Sequence, residues 1–250
     1  MVDGILNLEF GKLLAQGKGS VHGVDSSAAM IQSAQELCKD MPNCTFDGTD
    51  LLPCPALSSC SSLSSNVVID GTALASSKSL RPGTYTKAFS NAALHWILRN
   101  PTTRSQVFPS VHTLLVPGGT FTFEMGGLGN VAEMRTALLL SLSRRIGLPK
   151  ALELDPWFFP DEAWVKKEME SAGFRVEKVE REWRPTPAAK GGVEGWVRLF
   201  GKQMLEGVEE GEEREAVVKE IADVLSEVCK QPDGGHMISY VRLRCKGTKI

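Results

Sequence analysis

The chain predicts an α/β fold built on a mainly parallel sheet with helices on both faces and a late antiparallel strand. Three observations carry this. Ser20–Val24 and Asn43–Phe46 are short buried-strand runs. They flank a segment whose apolar residues Met30, Ile31, Ala34, Leu37, Cys38 and Met41 recur at helical spacing, giving β-α-β order. Thr120–Met125 is a β-rich run behind a Pro117-Gly118-Gly119 turn, suited to a central strand. His236–Cys245 alternates and closes the chain as a late strand.

The elements follow in order. Residues 4–16 carry Ile5, Leu6, Leu8, Leu13 and Leu14, a helix ended by Gly17 and Gly19. Asp25 or Ser26 is expected to cap the helix after the first strand. Residues 53–85 hold Pro53, Pro55 and six serines between 58 and 65, an irregular surface insertion in which only Asn66–Ile69 is strand-like. Thr86–Asn91 is a strand followed by a helix through Ile97, and Arg104–Leu115 is a helix. Asn130–Arg145, Asp161–Ala172, Val193–Leu205 and Glu212–Cys229 are helices, and Phe174–Val179 is a strand. All of it is read as one domain over 1–250, with elements of a substrate lid in 150–210.

Composition excludes several classes. Apolar content of 42% over 250 residues suffices for a sizeable core. A formal net charge of −2 offers no basic face for nucleic acid. No apolar run approaches the ~20 residues that span a bilayer, so no membrane association is expected. The six cysteines form no Cys-x-x-Cys pair and the four histidines are scattered, which points to reduced buried thiols in a cytoplasmic protein and no metal site. A monomer or weak homodimer is expected.

The informative motif is Phe89-Ser90-Asn91-Ala92-Ala93-Leu94-His95-Trp96, read with Gly23-Val24-Asp25-Ser26-Ser27 upstream and Leu115-Val116-Pro117-Gly118-Gly119 downstream. Together these resemble a class I S-adenosylmethionine-dependent methyltransferase of the trans-aconitate methyltransferase-like group. Glu124-Met125-Gly126-Gly127-Leu128-Gly129-Asn130 is similar to the family's Glu-x-Gly-Gly-x-Gly-Asn segment. The resemblance runs from Asp3 to Arg244 and implies a Rossmann-like sheet that binds S-adenosylmethionine outside its carboxyl ends.

Asp25, with Ser26, follows a strand end, where a carboxylate can accept both ribose hydroxyls. By resemblance Asp47 accepts from the adenine amino group and the Gly48 backbone N–H donates to a ring nitrogen. Asp3-Gly4 resembles the tail of the family's Gly-x-Gly-x-Gly loop, so the first strand and most of that loop are expected to be missing, and cofactor affinity with them. Ser90 and Asn91 end the strand facing the methyl donor. His95, Trp96, Glu124 and Trp157 are expected at the substrate pocket. Arg184 is the candidate partner of a substrate carboxylate, since guanidinium suits bidentate recognition. The implied substrate is a small acid methylated on a carboxylate oxygen, which needs no general base because it is already ionised.

Two alternatives stand beside this. One is an inactive or truncated homologue acting as a binding module. The other is a nicotinamide oxidoreductase, which shares the ribose-binding acid but needs an intact glycine fingerprint and a Tyr-Lys pair. Neither Tyr85 nor Tyr240 sits in such a setting.

Overall fold

A computed structural model describes residues 5–16, 19–49, 67–68, 74 and 80–250. The expectations for Asp3 and Gly4, and for most of the 53–85 insertion, lie outside the described residues.

The amino-terminal part is the expected βαβ unit. Helix α1 (Ile5–Ala15) leads to β1 (Val21–Val24), α2 (Ala28–Leu37) and β2 (Cys44–Thr49). β1 and β2 pair in parallel, with Val24 opposite Asp47. β3 (Val67–Val68) adds an antiparallel edge at Gly48 and Thr49. The cap expectation is corrected. Ser27 is the N-cap and its side chain accepts from Met30 N, while Asp25 Oδ1 accepts from Ser27 N at 2.8 Å. Three cap-competent residues stand in a row, and the one whose oxygen reaches the third helical N–H takes the role.

The second sheet holds four strands in the order β4 (Tyr85–Asn91), β5 (Leu115–Gly126), β7 (Met237–Lys249), β6 (Phe174–Pro187). β4 and β5 are parallel, and β7 lies antiparallel between β5 and β6. The α/β class and the late antiparallel strand are present. The sheet is mixed, with two parallel and three antiparallel pairings among the described residues. Pro117-Gly118-Gly119 is not a turn ahead of a strand. It is an irregularity inside β5, where pairing jumps from Tyr85↔Leu115 to Lys87↔Thr120 and Gly118 takes φ +75°, a conformation glycine adopts without a Cβ clash.

One face of this sheet is apolar. Phe121, Phe123, Met125, Leu243 and Cys245 are buried against α3 (Leu94–Ile97), α5 (Val107–Leu114) and α8 (Glu162–Ser171). The short α4 (Pro101–Arg104) lies between the first two. A second core forms from α6 (Ala132–Ile146), α7 (Leu148–Leu154), α9 (Gly192–Phe200), α10 (Lys202–Leu205) and α11 (Glu212–Val228). The expected single helix Val193–Leu205 breaks at Gly201, whose Cβ position lies 2.6 Å from the Val197 carbonyl and 3.0 Å from Leu138. β6 far outruns its expected end at Val179. It stays paired with β7 from Phe174↔Lys249 to Pro187↔Met237, so one antiparallel strand pair reaches from the sheet into the helical core.

β1 and β4 are edge strands, and no pairing joins the two sheets among the described residues. Aromatic contacts do. Phe10 meets Phe89 edge-on at 5.2 Å and His22 lies 6.4 Å from Tyr85. The four described cysteines are free thiols, and burial pushes Cys229 and Cys245 up to about 11 and about 12, which keeps both protonated and unreactive. No described helix is long and apolar enough to cross a membrane.

Candidate functional site

The site begins at the carboxyl end of β4. Ala92 takes φ 53°, a left-handed conformation uncommon outside glycine, and its N–H donates to the Glu124 carbonyl at 2.8 Å. This elbow swings the chain from strand into α3 and sets His95 over the end of β5. Successive strand residues point to opposite faces, so register separates two predicted neighbours. Asn91 stands beside Glu124 on the polar face, and Ser90 beside Phe123 on the apolar one. Their side chains do not line one surface.

His95 is buried, and its Nδ1 accepts from Gly126 N at 3.2 Å, which leaves the ring proton on Nε2. Burial, then the nearby Arg242 charge, lowers its pKa to about 3, so the imidazole is neutral near pH 7. It is a hydrogen-bonding ring, not a cation. Around it stand Trp96 at 5.5 Å and Phe159 at 5.7 Å. Trp157 stacks on Phe159 and meets Trp96 edge-on. Trp196 touches Trp157 and donates Nε1–H to the Tyr240 hydroxyl at 2.7 Å. Trp96 is 38% exposed and forms the open rim, whereas Trp157 is 7% exposed and acts as the floor.

The neighbouring glycines allow this closeness. A Cβ at Gly126 would sit 2.6 Å from Phe159 and 2.7 Å from Asn130. Asn130 is buried with its Oδ1 accepting from Val241 N at 2.9 Å, and Val131 with φ 47° holds the N-cap position of α6. The amide thus pins the glycine loop to β7.

Two predicted pocket residues sit differently from expectation. Glu124 does not stand free at the mouth. Its Oε2 accepts from Arg244 Nε at 2.6 Å, and its Oε1 lies 3.7 Å from Arg242. Arg184 is exposed on the outer strand β6, in register with Tyr240. The sequence reading missed Arg242, Tyr240 and Trp196. The alternation of 236–245 marks Tyr240, Arg242 and Arg244 as one face of a strand. The partner strand that brings that face to Gly126 is not encoded locally.

On the cofactor side, Asp25 is half-buried at the end of β1, with Oδ1 engaged by the Ser27 N–H and no ion pair among the described residues. Its Oδ2 remains a competent acceptor for a ribose hydroxyl, so the residue fits such a ligand through one oxygen more readily than two. The backbone of Asp47 and Gly48 lies on β2, adjacent to the end of β1.

No protein-family profile matches the chain. An uncharacterized methyltransferase of Schizosaccharomyces pombe is 31% identical over 244 residues, covering 97% of this chain and 81% of the relative. A putative methyltransferase from Bacillus halodurans shares the fold with a TM-score of 0.52 at 11% identity, covering 96% of this chain and 88% of its own. A SAM-dependent methyltransferase from Methanosarcina mazei does so with a TM-score of 0.50 at 13% identity, covering 96% and 86%. The chain belongs to the methyltransferases, with the class I fold that takes S-adenosylmethionine as its methyl donor.

Proposed function

We propose that this methyltransferase methylates a carboxylate oxygen of a small organic acid, as in the trans-aconitate methyltransferase-like group. The observation that carries the reading is the acceptor edge itself. A neutral His95 and a wall of Trp96, Trp157 and Phe159 stand there with Glu124, the neighbouring carboxylate among the described residues, tied to Arg244 rather than free to act as base. Such an edge suits an acceptor that arrives already ionised.

When bound, S-adenosylmethionine supplies a sulfonium methyl group for in-line displacement by the acceptor oxygen. Asp25 Oδ2 would hold the ribose, with Ser26 beside it. Asp47 and the Gly48 N–H would take the adenine, and Asp3 and Gly4 the amino-acid end. Asn91 would face the methyl donor. The contact between His22 and Tyr85, each near the start of its strand, supports a common carboxyl edge for β1 and β4. The aromatic side chains exclude water and position the acceptor, which is the main demand of methyl transfer. The His95 Nε2–H is a neutral donor that can orient an acceptor oxygen without neutralising it. The lobe over 150–210 would supply the roof of the acceptor site.

Incubation with radiolabelled S-adenosylmethionine and a panel of small carboxylic acids tests the reading. The expected product is a base-labile methyl ester. Label transferred only to an amine or a carbon acceptor would rule it out. The alternative, a homologue that binds without catalysis, predicts calorimetric binding of S-adenosylmethionine with no transfer to any acceptor.

A further inference from the structure

We infer that Arg242 is the acceptor-anchoring residue, clamping a carboxylate of the substrate with its guanidinium fork. This deepens the acid-methylating reading and rests on it. Arg242 lies opposite Gly126, the residue whose N–H holds His95. Its side chain is 21% exposed, and among the described residues its guanidinium donates no hydrogen bond. Glu124 is 3.7 Å away, too far for a strong pair, and is already taken by Arg244 at 2.6 Å. A guanidinium has five N–H donors in a rigid plane, and a mostly buried one without acceptors has unused recognition capacity.

Its orientation is built, not incidental. The Arg242 Cζ sits 4.8 Å from the centre of the Tyr240 ring, and Tyr240 is itself held by Trp196. A carboxylate placed on the fork would have its apolar body beside the ring of His95 and its aromatic neighbours. The two other arginines of this face are unsuited. Arg244 is neutralised by Glu124 and Glu182, and Arg184 is exposed on the outer strand. A positive charge only partly offset by Glu124, which it shares with Arg244, set against aromatic surface selects a small organic anion over a basic or metal-bound acceptor.

The test is tryptophan fluorescence titration with propane-1,2,3-tricarboxylate, succinate and benzoate on the protein saturated with S-adenosylhomocysteine. At least one acid is expected to quench saturably, while propane-1,2,3-tricarboxamide does not. R242Q is expected to weaken that acid by about tenfold or more, with S-adenosylhomocysteine affinity unchanged by calorimetry. R242K should fall between, since it keeps the charge and loses the fork. E124Q removes the competing carboxylate and should tighten acid binding. If R242Q does not fold, R242K and E124Q decide, and unchanged acid affinity in both overturns the assignment. Equal acid affinity in folded R242Q and wild type overturns the role of Arg242 and leaves the acid-methylating reading standing. Failure of the wild type to bind any of the three acids overturns both.

Discussion

The two ends of the molecule are built to different depths. The sheet β4–β5–β7–β6 and its helical lobe close over two large cores, one centred on Phe121, Phe123 and Met125 and one on Leu138, Leu142 and Val197. Among the described residues, the amino-terminal unit closes over four buried side chains, Ile31, Ala34, Cys38 and Phe46. Apolar area removed from water is the main stabilising term, so the first region has more to hold its geometry than the described residues of the second. On the proposed reading the acceptor side is therefore the more fully built, and the donor side is the part that a bound ligand would have most to stabilise.

The comparison breaks first at the cores. Phe123→Ala should cost about 3–5 kcal/mol of global stability in urea unfolding, because the site is fully enclosed. Phe46→Ala should cost less in the global transition and appear chiefly as faster hydrogen exchange in β1 and β2. Equal global losses would mean that the two regions unfold as one.

The donor side is sharpened by Asp25→Ala. It should weaken S-adenosylmethionine binding by roughly 1–3 kcal/mol, measured by calorimetry, as a charge-assisted hydrogen bond is lost. Acid binding at the other end should be unchanged. A shift in acid affinity of similar size would mean that the two sides are coupled.

On the acceptor side, His95 gives a pH signature. Its folded pKa, about 3, lies below the ordinary 6.5, so the unfolded chain binds a proton that the folded one refuses. Stability from this residue is complete above about pH 6.5 and falls as pH drops towards 3, by roughly 1.4 kcal/mol per unit. Between pH 6.5 and 5, above the carboxylate range, the loss should reach about 2 kcal/mol. His112 is lowered in the same direction by burial and Lys249, so the contribution is isolated by comparison with His95→Asn, which should flatten the profile. The smallest effect expected is at Trp196→Phe. Loss of the bond to Tyr240 should cost about 0.5–1.5 kcal/mol in urea unfolding. It should leave Asp25-dependent cofactor binding intact.

What could be read in advance was local. The βαβ order, the strand-to-helix step after Asn91 and the helix beginning at Asp161 depend on residues within one turn or strand of each other, and the structure contains them. What depends on register or on a distant neighbour was not legible. Ser90 and Asn91 look equivalent until β5 assigns them opposite faces. Pro117-Gly118-Gly119 carries every mark of a turn, yet the strand continues through it because β4 pairs on both sides. Glu124 gives no sign of its engagement, since Arg244 lies 120 residues away along the chain. Arg184 and Arg242 are equally plausible anion binders by type, and only the order of the outer strands separates them.

The paired strands β6 and β7 act as a splint. Its two rails run from Phe174 opposite Lys249 to Pro187 opposite Met237, with one irregularity between Val176 and Lys178, and link one core to the other. On the proposed reading an acceptor would enter past the indole of Trp96, the exposed member of the aromatic wall, and that opening would set the size of what is admitted.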